Sequence, residues 1–282
     1  VAENYEQVLQ KYLRIPACIR QLVPQRARGR IINLHRWVAN VFAAKEVKKL
    51  VSKAQRLVLK HCSVPGNKQY RKSELGYWYW IPHWILSYRQ NDASTLRVLD
   101  IGCGHGTLAV FARCSLSCNV CCTDVFEYKV PLQLFDSLGI SYSTSDIEQE
   151  SVPFSGSFDI IIFTEVIEHL RFHPVPTLKK LVGKLKPGGR FLLSTPDAKS
   201  WGRVSKYYRE LSEMPPPQVS PVRVDEHIWQ YDSAELLAVL IEAELWPIEM
   251  EYSTNRSGFR HFNWMLGRIS EVKPNSIGGV DP

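Results

Sequence analysis

The sequence has no run of about 18 apolar residues, so no helix of it is expected to cross a bilayer. Its first residues lack the apolar core of a secretory signal. An arginine-rich, acid-poor start can be a mitochondrial leader, but such leaders are rich in serine and residues 1–60 contain only Ser52. The expected location is therefore the cytoplasm, with a peripheral seat on a membrane as the alternative. Acidic residues are scarce at one end: residues 1–72 carry 3 Glu, no Asp and 16 Lys or Arg, so the formal charge of +7 is local, and the rest of the chain is net acidic. Cysteines number 7, an odd count that fits no closed disulfide framework. Cys114, Cys118, Cys121 and Cys122 crowd together as zinc ligands do, but strand alternation turns Cys121 and Cys122 to opposite faces. Buried, reduced thiols are the expectation. The remainder is ordinary for a soluble core: 282 residues at 45% hydrophobic content suit one large α/β domain with an appended segment.

The appended segment is residues 1–75, followed by a domain over 76–282. Ile31, Leu34, Val38, Val41, Val47, Leu50, Val51 and Leu57 recur at helical spacing with Arg36, Lys45, Lys48, Lys49, Lys53, Arg56 and Lys60 mostly between them. One or two basic amphipathic helices are predicted. Residues 26–60 either meet a polyanion, an anionic membrane surface or RNA, or form a solvated helix packed across the domain. The aromatic cluster YWYWIPHWIL, Tyr77 to Leu86, must be largely buried. It either joins the helices to the domain or lines a pocket.

The stretch Arg97 to Ala112, RVLDIGCGHGTLAVFA, reads as a short buried strand, a three-glycine turn and an apolar helix. Gly102, Gly104 and Gly106 would let the backbone approach a ligand at the helix N-terminus, where a side chain at any of the three would block it. The spacing Asp100-x-Gly102-x-Gly104-x-Gly106 is not that of a dinucleotide site. Eighteen positions beyond Gly106, the apolar strand from Val120 ends at Asp124, which is expected to hold ribose hydroxyls.

These residues resemble the class I S-adenosylmethionine-dependent methyltransferases. Asp146, after the strand Ile140 to Ser143, matches that family's contact to the adenine amino group; FDIIIF, Phe158 to Phe163, matches its fourth strand; LKPGGRFLLSTP, Leu185 to Pro196, matches its fifth. The likeness covers residues 97–196. It implies an α/β fold, a doubly wound, seven-stranded Rossmann-like sheet with an N-terminal helical extension. It also implies S-adenosylmethionine as cofactor, contacted by Asp100, Gly102, Cys103, Gly104, Gly106, Asp124, Val125, Asp146, Ile147 and Thr164. Past the fifth strand, residues 197–230 contain Pro215, Pro216, Pro217 and Pro221, too many interruptions for a continuous helix, and are read as a lid. Ser233 is placed as the cap of a helix over Ala234 to Glu242, and Ile248 to Tyr252 and Arg260 to Arg268 as the closing strands.

After the fourth strand, TEVIEHL places Glu165, Glu168 and His169 at i, i+3 and i+4, one surface of a helical turn, and His227 follows the lid. Two carboxylates and two imidazoles suit magnesium, manganese, iron, cobalt or zinc. The pattern resembles that of small-RNA 3′-terminal 2′-O-methyltransferases and is similar to ubiquinone-pathway O-methyltransferases, which implies Glu165, Glu168, His169 and His227 as metal ligands. Without a metal, the same glutamates order the strand-to-helix junction. His169 or His227 is then the candidate general base, with Glu165 beside it. His35, His61, His83, His173 and His261 are read as satisfied core or surface residues, and His105 is left open. The leading expectation is O-methylation of a small hydroxylated acceptor, a lipid, quinone-like or sugar-bearing molecule. The alternatives are a terminal ribose 2′-O-methyltransferase on RNA, an N-methyltransferase, and a non-catalytic accessory protein that binds the cofactor. An oxidoreductase is the least favoured.

Overall fold

A computed structural model describes residues 44–61, 67–88, 95–204, 206–218, 220 and 225–271. The expected helical positions Ile31 to Val41, together with His35, Pro221 and the polyanion-binding residues 26–43, lie outside these. The chain divides into two compact units, Val1–Lys49 and Leu50–Pro282. Helical residues run from 44 to 61; those within the second unit, 50–61, are labelled α1. The boundary expected at residue 75 falls inside the next helix, α2 (Asn67–Trp78), which α3 (Ile81–Ser87) follows.

A 7-stranded sheet organises the second unit, in the order β3-β2-β1-β4-β5-β7-β6. The strands are β1 (Arg97–Ile101), β2 (Asn119–Asp124), β3 (Ser141–Thr144), β4 (Phe158–Thr164), β5 (Leu185–Pro196), β6 (Leu245–Thr254) and β7 (Arg260–Arg268). The first five pair in parallel, and β7 runs antiparallel to both β5 and β6. Parallel strands need crossovers that cover both faces, so β4 is buried on both sides and reads FDIIIFT without polar alternation. The crossovers are α4 (Thr107–Leu116), α5 (Leu132–Leu138) and α6 (Pro174–Val182); α7 (Ala198–Trp201) and α8 (Ser233–Glu242) follow β5. Among the described residues no helix is long and apolar enough to cross a membrane.

Chain direction across the sheet reverses between β1 and β4, since β1 leads outward to β2 and β3 while β4 leads the other way to β5. Such a switch leaves a crevice beyond the carboxyl ends of the two strands. The expected helical turn at TEVIEHL is corrected here. β4 ends at Thr164, Glu165 takes a left-handed backbone (φ 54), and only Ile167–His169 form a single 3₁₀ turn. A β-type run ending in a sharp reversal replaces the i, i+3, i+4 face. The cap of α8 is corrected too: Asp232, not Ser233, caps it, accepting from Ala234 and Glu235 while the Glu235 carboxylate accepts from the Asp232 N–H.

The aromatic cluster divides between its two expected roles. Trp80 donates from its indole to the Tyr252 carbonyl and from its backbone to Asn263 Oδ1, and Trp84 donates to Glu249, so both tie α3 to the β6–β7 hairpin. Tyr77 and Trp78 line the crevice instead. Described residues of the segment read as a lid are pinned. Ala198 N–H donates to Tyr231 O, His173 N–H to Pro215 O, and Ile228 N–H to Glu168 O, and Met214 and Trp229 are buried.

Two glycines of the turn are packing requirements. A Cβ on Gly102 would lie 2.4 Å from Val166 Cγ2 and one on Gly106 would lie 2.4 Å from Phe135 Cζ, with φ of 66 and 77 respectively. At Gly104 (φ 51) a Cβ meets nothing within 4 Å. The expectation that each glycine clears the ligand is thus corrected: Gly106 clears a phenyl ring. Gly106→Ala should lower unfolding free energy by about 2 kcal/mol or more, combining left-handed strain and overpacking, and Gly104→Ala by only about 1 kcal/mol. Urea denaturation of the two variants measures the difference.

Candidate active site

A cavity of about 450 Å³ opens at the crevice. Of the expected cofactor contacts, Asp100, Gly102, Cys103, Gly104, Asp124, Val125, Asp146, Ile147 and Thr164 all line it; Gly106 does not. The turn is held by the end of β2: the Gly102 and Cys103 N–H groups donate to Thr123 O, and the Gly104 N–H donates to Asp124 Oδ2 at 2.8 Å. Asp124 Oδ1 accepts from the Phe126 N–H at 2.8 Å, which fixes the carboxylate at the cavity wall. Burial raises its pKa, and the two N–H donors oppose that shift. Asp100, on β1 beneath the turn, is pulled up to about 8 by burial and by the Asp124 charge.

Asp146 is less free than the resemblance implies. Its Oδ2 accepts from both Arg171 and Gln149, and Oδ1 accepts from the Glu148 N–H. Arg171 also donates to Glu148, so a partly buried cation joins two carboxylates along this wall.

At the other end of the cavity, three of the four expected metal ligands come together. One ligand atom each from Glu168, His169 and His227 lies within 4.8 Å of the others. Glu168 is fully buried; Oε2 accepts from Thr195 Oγ1 at 2.9 Å, while Oε1 has no hydrogen-bond partner. The Glu226 carbonyl lies 2.9 Å from His169 Nδ1, which therefore carries the proton and leaves Nε2 as the basic nitrogen. Gln230 lies 3.1 Å from His227 Nδ1, and the two imidazoles meet edge to face. Burial and the neighbouring imidazoles hold His227 down to about 4.

Glu165 stands outside this trio. Its Oε1 accepts from Ser194 Oγ at 2.8 Å, and Oε2 lies 2.9 Å from His261 Nδ1. His261 is the residue that sequence reading dismissed. It is 1% exposed, faces the cavity, packs against Tyr77 and Trp201, and its ring nitrogens lack aligned hydrogen-bond partners. Its position on β7, opposite Pro196 of β5, explains the miss, because no local spacing relates residue 261 to residue 165. His105 also lines the cavity, with Nδ1 3.3 Å from Lys129 O. His83, read as satisfied, is corrected in part: its buried Nε2 has no partner. Among the described cysteines, Cys118 and Cys122 are buried, Cys103 and Cys121 partly so and Cys114 exposed, which corrects the expectation of uniform burial; all five are free. Burial holds Cys122 above its usual range and contact with Cys122 does so for Cys103, so neither is a thiolate at neutral pH.

Glu165 and Glu168 are both pushed up to about 8 by burial, Glu168 further by the Glu165 charge. A carboxyl that holds its proton more tightly when folded contributes stability that is fully present below the unfolded pKa of about 4.5. That contribution is lost as pH rises through about 8. The melting temperature of the ligand-free protein should therefore fall between pH 5 and pH 9. Glu168→Gln should flatten that fall, a change that calorimetric melting at the two pH values detects.

Comparison with known proteins gives the family and the fold. A family model described as a methyltransferase domain matches residues 68–249. The ubiquinone biosynthesis O-methyltransferase of Xanthomonas oryzae pv. oryzae is 32% identical over 108 residues, 37% of this chain and 44% of that protein. The enzyme of the same name from Nitrosococcus oceani is 34% identical over 118 residues, 39% of this chain and 48% of that protein. The chain thus spans less than half the length of the curated relatives it matches. Among solved structures, a magnesium protoporphyrin IX methyltransferase from Synechocystis with bound S-adenosylmethionine superposes with a TM-score of 0.50 at 16% identity, covering 76% of this chain and 89% of that one.

Proposed function

Because the chain belongs to the methyltransferase-domain family, we propose that it transfers a methyl group from S-adenosylmethionine to a hydroxyl oxygen of a small acceptor. The observation that carries this reading is the meeting, in one cavity, of the glycine cradle with Asp124 at one end and the Glu168, His169 and His227 trio at the other.

The residues present fit the cofactor. Gly104 leaves backbone open to a ligand, and the Asp124 carboxylate, fixed by two N–H groups, is placed to accept from vicinal sugar hydroxyls. Val125, Asp146 and Ile147 line the same cavity. When bound, the cofactor supplies an electrophilic methyl on a sulfonium. The protein's share is to align the acceptor oxygen with that methyl and to take its proton.

A divalent cation also fits. Glu168 offers an unpartnered buried oxygen, and the Nδ1 of His169 is held by a backbone carbonyl, the arrangement that orients a ligating imidazole. Glu168, His169 and His227 would hold magnesium, manganese, iron, cobalt or zinc, which would lower the pKa of an acceptor hydroxyl. His261, held neutral at pH 7 by burial, is a further imidazole beside Glu165.

The names of the matched relatives, O-methyltransferases, support oxygen as the receiving atom. A concave crevice of about 450 Å³ supports a small acceptor. The same Glu and His pattern with the basic residues 26–60 favours, as a second reading, the terminal ribose of RNA.

Labelled S-adenosylmethionine, incubated with the protein and with separated RNA, lipid and small-molecule pools, tests the choice. Label is expected in the small-molecule pool. Label in RNA selects the second reading, and S-adenosylhomocysteine binding without turnover on any pool marks an accessory protein. Asp124→Ala should weaken S-adenosylhomocysteine binding at least about tenfold by calorimetry. Chelation should cut turnover at least about tenfold while leaving that binding intact; full activity in chelator would eliminate the metal.

A further inference from the structure

Asp225 and Lys129 both line the cavity, and neither belongs to the expected binding pattern. Their side chains form an ion pair at 2.5 Å, 22% exposed at the lysine and 51% at the aspartate, which places the pair at the rim. Lys129 ends a 3₁₀ turn, Glu127–Lys129, that follows Asp124 by way of Val125 and Phe126. Its ammonium lies 4.8 Å from the Phe126 ring, and its carbonyl is 3.3 Å from His105 Nδ1 in the glycine turn. Lys129 thus belongs to the cofactor end. Asp225 comes from the far part of the proline-interrupted segment, two residues before His227. The two charges act with opposite sign on Asp124, and Asp225 acts on His227 as well, so Asp225 lies between the two ends of the cavity.

The residues after Asp225 are tied down in turn. The Glu226 carboxylate accepts from Lys206 Nζ at 2.7 Å and from Tyr207 OH at 2.6 Å, and its carbonyl accepts from His169 Nδ1 at 2.9 Å. Ile228 N–H donates to Glu168 O. Residues 225–228 therefore form a strap, anchored to residues 206–207 and to the turn after β4, with the Lys129 pair as its anchor at the cofactor end. An ion pair this exposed contributes little to overall stability, and it breaks and re-forms readily. Those are the properties of a latch rather than of a strut.

We infer that the Lys129–Asp225 pair is a latch on the cavity mouth that sets how fast the cofactor enters and leaves. The inference rests on the cofactor assignment made above. Both residues act by holding the strap, not by touching the ligand. His227 rides on the same strap, so the latched state is also the one that keeps the Glu168, His169 and His227 trio assembled.

Stopped-flow fluorescence of the full chain with S-adenosylhomocysteine separates a latch from a contact, and Trp78 and Trp201 on the cavity wall supply the signal. Loss of a ligand contact changes dissociation and affinity together, whereas loss of a latch speeds entry and exit alike. Lys129→Met and Asp225→Asn should each raise both rate constants roughly threefold, the size expected of one half-exposed pair, and change affinity by less than about twofold. The double variant should match the single ones, because both act through one interaction. Added salt should speed dissociation from the unsubstituted chain and leave the variants unchanged. Unchanged rates in both single variants would overturn the inference, as would faster exit without faster entry, or effects that multiply in the double variant. Failure of the unsubstituted chain to bind S-adenosylhomocysteine would overturn the cofactor assignment itself, and calorimetry recognises it before any variant is made.

Discussion

The carbonyl oxygen of Glu168 accepts from two backbone N–H groups, those of Ile228 and Trp229, and much of the site depends on that double bond. It fixes the return of the chain from the proline-interrupted segment onto the turn after β4. His227, one residue earlier, is thereby set beside His169. The same residue's side chain reaches Thr195 on β5. One residue thus joins three segments, two of them separated by about sixty positions of sequence, and its own carboxylate is buried by doing so. The construction has a cost. A fully buried carboxyl with an unpartnered oxygen is expensive unless it is protonated or given a cation. The fold places a second, partly buried carboxyl, Glu165, close enough to raise it further. Such an arrangement is poorly suited to stability alone, and it is intelligible as one awaiting a charged or hydroxyl-bearing guest.

The cofactor end of the crevice is built on the opposite plan. Asp124 is fixed by backbone donors, the turn is fixed by Thr123, and Gly102 and Gly106 sit against Val166 and Phe135 with no room for a methyl group. Its rigidity comes from main-chain bonds and steric fit around the glycine turn, and from the pairing of Arg171 with Asp146 and Glu148 along the wall. Preorganisation of this kind suits a ligand that is the same in every turnover. The polar, imidazole-rich end suits a reaction in which charge moves.

The difference also decides what could be read in the sequence. Elements whose hydrogen bonds and contacts are local or follow strand periodicity were legible: RVLDI as a buried strand, the glycine turn, Asp124 at the end of β2, and the limits of β5 and β7 match their residues. Pro215 to Pro217 excluded a helix where none forms. Glu165 falls outside the trio although TEVIEHL satisfies a helical pattern, because β4 ends at Thr164 and Glu165 takes a left-handed conformation that nothing in the sequence signals. Asp232 was passed over for Ser233 because both are good caps and only the reciprocal bond with Glu235 chooses between them. His261 was missed for a different reason. Its neighbours Glu165, Tyr77 and Trp201 come from three distant segments, and only the antiparallel placement of β7 beside β5 assembles them.

The N-terminal helices illustrate how the same composition can serve two purposes. Read along the sequence, their lysines and arginines suggested a surface for polyanions. Within the described part, the residues that connect to the cavity are not the basic ones. Gln55 and Glu74 reach inward, and Trp80 and Trp84 lock α3 to the hairpin, so the helices complete a wall that the parallel sheet alone leaves open. A sheet with its switch point between β1 and β4 always has such an opening, and something outside the alternating strands and helices must close it. Here the closing element arrives from the N-terminal side and brings a carboxylate with it. Part of the cavity wall is therefore supplied by a segment lying outside the stretch, residues 97–196, that carries the family's recognisable motifs.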